Sequence, residues 1–259
     1  MLIYYQLTKF SYSHNNGEHP MKTLVSLISL LAILLVALPG LLYKFGIVEL
    51  GSAFATLRYG VYVGLAALVL LLLQVIFMRK NISWATAGVS ALLAIVAVGL
   101  PMSLMSKAKS VPPIHDISTD LLNPPKFEAI VPLRMDAPNP VAYPGEDTAV
   151  QQRQAYPELV TQQYAQPQDQ VFDAALALVN NLGWELANAD KARGVIEATH
   201  TTAWFGFKDD VVIRIAQQDQ VTALDIRSKS RVGKSDLGKN AERIHEFLDN
   251  LASTLLTQG

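Results

Sequence analysis

The sequence predicts three N-terminal membrane-spanning helices followed by an α+β soluble domain, an antiparallel four-stranded sheet with two helices packed on one face. Three observations lead there. Residues 1–106 contain three stretches without a charged side chain, Thr23–Tyr43, Gly60–Met78 and Asn81–Ser106. Charge is divided unevenly, with six basic and two acidic residues up to residue 106 against fifteen basic and twenty acidic beyond it. From Asp169 the apolar residues recur with helical spacing, then fall into four strand-like runs, then become helical again.

Residues 1–20 are polar and aperiodic and read as a disordered tail. Residues 21–106 form the transmembrane region, with spans near 23–43, 60–78 and 82–105. Each stretch approaches the roughly 20 residues that a helix needs to cross a bilayer core. A helix is the form that satisfies every backbone N–H and C=O within one segment. Met21-Lys22 ahead of an apolar run also has the form of a secretory signal, and translation from Met21 is compatible with it. Val36-Ala37-Leu38-Pro39-Gly40 offers no small-x-small cleavage site, which favours an uncleaved first helix.

Lys22 and the Arg79-Lys80 turn place those ends in the cytoplasm, although Lys44, Arg58, Lys107 and Lys109 pull the other way. The short Arg-Lys turn decides the expectation: a multi-pass protein of the inner (plasma) membrane, its C-terminal domain periplasmic or otherwise extracytoplasmic. Gly60-x-x-x-Gly64 opens the second span, and Ala87, Ser90, Ala91 and Ala94 line the third. Such spacing serves either a homo-oligomer contact or packing among the chain's own helices. No span carries an ionisable residue in its middle, so the bilayer is expected as an anchoring partner rather than a barrier to be conducted across.

Residues 107–167 are the next segment, and ten of the thirteen prolines fall between 111 and 167. That composition predicts extended chain, with 112–127 packed through Ile114, Ile117, Leu121, Leu122 and Phe127 and with 134–155 loose. Residues 168–259 form the α+β domain. Phe172, Ala175, Leu176, Val179 and Leu182 share one helical face, with Asp169 as cap and Gly183 as stop. Strands are expected at Trp184–Ala189, Gly194–Trp204, Asp210–Gln217 and Val221–Ser230. Leu237–Leu256 closes the chain as a helix, capped by Ser235 or Asp236. Two amphipathic helices over one sheet face bury both stripes at once.

Two stretches resemble a known family. One runs Pro112-Pro113-Ile114-His115-Asp116-Ile117-Ser118-Thr119-Asp120, then Asn123-Pro124-Pro125 and Phe127. The other is Asp210-Val211-Val212-Ile213-Arg214, then Asp225-Ile226-Arg227 through Gly238-Lys239-Asn240-Ala241, with Arg243-Ile244. Together they resemble domain-of-unknown-function family 1499. The likeness brackets most of the soluble domain and leaves the spans outside it. It implies membership without implying an activity.

The densest polar run, Arg227 to Asn240, has the composition of an anion cradle, a strand end passing through glycines into a helix N-terminus. Arg227 and Arg231 would supply charge-assisted bonds, Ser228, Ser230, Ser235 and Asn240 polar contacts, and Gly233 and Asp236 the turn. The competing reading is ordinary capping by Ser235 or Asp236, with the arginines paired to acids. Val232-Gly233-Lys234-Ser235 lacks the first glycine of a phosphate loop, because Ser228 stands five positions before Gly233. His115 and Asp116, with Ser230 or Ser235 as nucleophile, would suit a hydrolase, yet no Gly-x-Ser-x-Gly supports it. The competing reading pins the extended segment through a His-Asp pair.

His115, Asp116, Asp120, Asp209 and Asp210 follow no recognised metal-ligand spacing, and neither metal nor cofactor is expected. The chain has no cysteine, which removes thiolate chemistry, and the acidic soluble half disfavours nucleic acid. Trp204-Phe205-Gly206-Phe207 reads as a hairpin tip that meets a surface or folds back, and His200 and His245 as surface residues. The expected function is a membrane-anchored binding or assembly module recognising an anionic small molecule or an envelope protein. A membrane-tethered hydrolase and a structural subunit of a membrane complex are the alternatives.

Overall fold

The computed structural model describes residues 20–258. The residues expected to form a disordered tail therefore lie, but for Pro20, outside the described part. Two compact units divide at Ser103 and Leu104.

The first unit holds α1 (Pro20–Lys44), α2 (Leu50–Phe77) and α3 (Trp84–Ser110), whose last residues belong to the second unit. All three helices are long and apolar enough to cross a membrane. α2 starts ten residues before the expected span, so Arg58 lies inside the helix. A long side chain near a helix end can carry its charge back toward water, so it need not interrupt the segment. Gly60 and Gly64 face α1 and α3 of their own chain. A Cβ on Gly60 would lie 2.7 Å from Val36 Cγ2, and one on Gly64 2.9 Å from Val98 Cγ2. Missing side chains thus let α2 approach both neighbours.

In the second unit the order is β1 (Asp116–Ser118), α4 (Glu146–Ala155), β2 (Gln162–Tyr164), α5 (Gln168–Asn181), β3 (Glu185–Asp190), β4 (Val195–Thr201), β5 (Lys208–Gln218), β6 (Val221–Ser230) and α6 (Lys239–Gln258). The antiparallel sheet runs β1-β6-β5-β4-β3, with β2 pairing a different part of β6. The four expected strands are present as β3 to β6. Two more come from the Pro-rich segment, three residues each, too short for a readable period.

α5 and α6 cover one face. Val211, Ile213 and Ile215 of β5 and Leu224 and Ile226 of β6 meet Phe172, Val179, Ile244, Phe247 and Leu251 there. α5 ends at Gly183, whose φ of +68 suits a glycine stop. Its cap is Pro167 and not Asp169, which sits exposed in the first turn, favourably placed for the helix dipole. Gly194 leaves no room for a side chain, because a Cβ would stand 1.9 Å from the Ile215 carbonyl oxygen.

The opposite face is covered by residues 119–143. Phe127 and Ile130 bury Val212, with Val141 packed alongside. A 3-10 turn forms at Val131–Arg134, and the stretch expected to be loose, 134–155, instead ends in α4. α4 has no apolar stripe to announce it. Its anchor is Gln152, fully buried, whose amide donates to the Ser118 carbonyl at 2.7 Å and accepts the Ser118 N–H at 3.0 Å.

Candidate functional site

Side chains alternate between the two faces of a strand, and that alternation splits the run from Arg227 to Asn240 into two sites. Arg227 and Lys229 point to the face under the Pro-rich segment, where the Arg231 guanidinium also pairs. Ser228 and Ser230 point to the helix face, where Asn240 meets them.

On the outer face the register aligns charges across strands. Asp116 of β1 stands opposite Lys229 of β6, Lys229 opposite Asp210 of β5, and Asp210 opposite Thr199 of β4. Asp116 is fully buried and accepts a bidentate pair from Arg227 through both oxygens, Nε at 2.9 Å and Nη2 at 2.8 Å, and a third bond from Lys229 Nζ at 2.6 Å. Asp210, also fully buried, accepts from Arg134 at 2.9 Å and Arg231 at 2.8 Å. Burial lowers the Lys229 and Arg134 pKa values, which Asp116 and Asp210 respectively oppose. The Arg227 guanidinium is also bracketed by Phe127 and Tyr143, with ring centroids at 4.9 and 5.4 Å. Such stacking on a desolvated cation contributes about 2 kcal/mol. Burial, and Asp116 beyond it, push the Tyr143 phenol up to about 12.

The cations also donate to backbone carbonyls of the covering segment, although the buried Arg134 Nε has no partner among the described residues. Arg227 donates to Pro125 and Val141, Lys229 to Ala142, Arg134 to Asn139 and Arg231 to Leu133. Irregular chain has no ladder to satisfy its carbonyls, so buried cations take over that task. Glu197 does the converse: its carboxylate accepts the N–H groups of Glu128, Ala129 and Ile130 at 2.9 to 3.0 Å. Further along the face, Arg214 bridges Asp120 at 2.8 Å and Asp225 at 2.7 Å.

Helix-face residues make a second network. Arg243 donates to Asp209 at 2.7 Å and to Ser228 at 3.0 Å, and lies 3.0 Å from His200 Nδ1. Asn240 donates to Ser230 Oγ at 3.0 Å and to the His115 carbonyl at 3.1 Å. Asp236 accepts the N–H groups of Gly238 and Asn240, each at 2.8 Å, and Ser235 Oγ accepts that of Leu237 at 3.3 Å. Burial nonetheless raises the Asp236 pKa. Gly233 is exposed, with φ +98, and its carbonyl accepts from Asn139 at 2.9 Å.

The His115 segment lies beside the Arg227–Asn240 turn, since the Ser230 N–H donates to the His115 carbonyl. The ring makes a different contact from the one a hydrolase needs: Nδ1 lies 3.3 Å from the Lys234 carbonyl oxygen, and the enclosed Nε2 has no partner among the described residues. Asp116 faces away from His115's ring contacts and is held by Arg227 and Lys229. The five residues weighed as metal ligands are distributed similarly, Asp116, Asp120, Asp209 and Asp210 each paired with its own cation or cations.

His200 differs from the surface residue expected, being half-buried beside Arg243, whereas His245 is exposed near Asp249. At the hairpin tip Phe205 is buried, with Trp204 edge-on at 4.9 Å and Phe207 stacked at 5.0 Å. Glu197, Arg134 and Tyr143 escape the sequence reading. The available signal for Glu197 was a carboxylate midway along a β-rich run, between Ile196 and Ala198; Arg134 and Tyr143 sit in proline-rich chain with no period to mark them.

No curated protein matches the chain. Residues 116–251, more than half of it, match a family described as "Protein of unknown function (DUF1499)". That match begins at the buried Asp116 and takes in Glu197, Asp210, Arg227, Lys229 and Arg243, the centres of both networks, and the chain belongs to this family.

Proposed function

We propose that the chain is a membrane-anchored assembly module of the cell envelope, its soluble domain outside the cytoplasm, that docks a protein partner through the 3-10 turn at Val131–Arg134. The observation that carries this reading is how the turn is held. Glu197 ties its approach through three N–H groups, Arg134 is sunk against Asp210, and Arg231 grips the Leu133 carbonyl. Between those fixed points Val131, Leu133 and Met135 stand 39%, 57% and 80% exposed. A surface held rigid before binding loses little entropy on association, and an exposed apolar cluster gains from being covered.

In this reading Arg227, Arg231 and Lys229 serve recognition indirectly, by fixing the segment that is presented, because their donors are engaged within the fold. The hydrolase alternative draws no support from His115, whose ring has no hydroxyl bonded to it among the described residues. A structural subunit is the same proposal with a permanent partner.

A photo-crosslinking residue at position 133 or 135 of the membrane-embedded chain should give a discrete adduct that is absent when the label is moved to exposed Gln154. Leu133→Ser with Met135→Ser should abolish the adduct without altering thermal unfolding. An equal adduct at Gln154, or none at 133 and 135, overturns the docking surface. An adduct of twice the chain mass would identify the partner as a second copy. A C-terminal reporter active only outside the cytoplasm is the expected topology result, and cytoplasmic activity refutes that placement.

A further inference from the structure

Taking α3 as a membrane span, which rests on the anchor of the reading above and not on its docking turn, we infer that one end of the α+β unit lies on the bilayer surface. Its lysines there meet anionic lipid headgroups.

The second unit begins with the last two turns of α3, from Leu104 to Ser110. Those turns attach at one end of the sheet. Lys107 Nζ lies 3.7 Å from Glu242 in the first turn of α6, a Cβ on Gly238 would stand 3.4 Å from Val111 Cγ1, and the Asp236 N–H donates to the Ile114 carbonyl at 3.3 Å. Between Ser110 and Asp116, where β1 starts, the chain can span at most about 20 Å. The β4–β5 hairpin is at the same end, because Thr201 pairs with Lys208 and Asp209 with Ser230, the last residue of β6.

Charge distinguishes this end from the other. Lys109 and Lys234 are exposed here, and Lys107, Lys208 and Lys239 partly so. Most acids at this end are occupied. Asp209 and Asp210 are buried against arginines, Asp236 accepts backbone N–H groups, Glu242 is shared by Lys107 and Lys239, and Glu185 faces Lys208 at 3.7 Å, while Asp136 is exposed. At the opposite end, where β5 turns into β6, Asp169 and Asp219 are exposed, and Asp173 and Asp190 adjoin Lys191 and Arg193. A basic end beside the tether and an acidic end remote from it orient the unit toward a negative surface. The half-buried Trp204 at the hairpin tip suits that surface, because an indole settles at headgroup depth. The tether decides between a lipid surface and a free acidic protein, for it holds these lysines beside headgroups at high effective concentration.

The chain has no cysteine, so Ala203→Cys and Gln220→Cys would each carry one fluorophore, at the hairpin tip and on the β5–β6 turn. The ten residues of β6 hold these ends roughly 30 Å apart. The full chain would be placed in nanodiscs whose lipids bear a headgroup spin label, a short-range quencher. In phosphatidylglycerol discs the fluorophore at 203 should be quenched and the one at 220 spared, and equal quenching at the two sites overturns the surface. In phosphatidylcholine discs, or with Lys109→Gln and Lys234→Gln together, the ratio of docked to undocked chains should fall at least about fivefold, the factor that one lysine near an anionic surface supplies. Lys109→Arg with Lys234→Arg should keep it. Tethering by α3 alone brings position 203 close whatever the lipid, so undiminished quenching in phosphatidylcholine overturns the headgroup assignment. The crosslinks at 133 and 135 test the docking turn separately, and extraction of the chain by alkaline carbonate would refute the anchor.

Discussion

Asp116, like Asp210, gathers two cations, and its own two, Arg227 and Lys229, are both buried. Breaking a buried pair leaves the partner charged and uncompensated, at a cost of about 3–5 kcal/mol. Asp116→Ala strands two cations, so urea unfolding should show a loss at least that large, and a loss below about 1 kcal/mol would mean the covering carbonyls alone satisfy Arg227 and Lys229. His200 gives a pH dependence. Burial and then the neighbouring Arg243 hold it below its usual value, against the pull of Asp209. The folded chain thus resists a proton that the unfolded chain accepts near 6.5. Stability from this group is present above that value and is lost as the pH falls through it toward the lower folded pKa. His200→Gln should flatten the decline of melting temperature between about pH 7 and pH 5, and an unchanged slope would assign the decline to other groups.

At the scale of elements, α2 depends on two absent side chains. Gly60→Leu should drive α1 away, since even a Cβ there meets Val36 Cγ2 at 2.7 Å and the Ala32 carbonyl at 3.2 Å. Melting in detergent should drop by several degrees, while the same change at Gly88, which has open space around it, should leave melting unaltered. The elements that a reader of the sequence can find are those whose burial imposes a period: the spans, α5, α6 and β3 to β6. β1, β2, the 3-10 turn and α4 are not legible, because their stability is supplied by residues more than thirty positions away in sequence. Gln152 holds Ser118, and Glu197 holds residues 128–130. For the site, composition marks Arg227 to Asn240 as unusual. That composition cannot reveal that Arg227 and Ser228 serve opposite faces until the strand register is known.

For the molecule as a whole, the Pro-rich segment is a layer of the α+β fold, joined to the sheet by buried charge pairs as well as by Ile114, Ile117, Phe127 and Ile130. A fragment covering 111–259 should therefore unfold cooperatively on its own. A fragment starting at 168 retains α5, β3 to β6 and α6, yet should fail to give a melting transition, because Arg227, Lys229 and Asp210 lose their cover and Asp116. Cooperative melting of the shorter fragment would show that the charged face tolerates water. The same strand pairing constrains biogenesis. β1 is the first strand to be synthesised and β6 the last, and they are hydrogen-bonded neighbours, so the chain closes on itself only near its end. A ribosome stalled anywhere before β6 leaves the three apolar helices carrying a long unsealed polypeptide, with its charged strands unpaired and open to proteolysis. Quality control of this protein would thus act on chain completion, with no partly built domain to spare an early truncation.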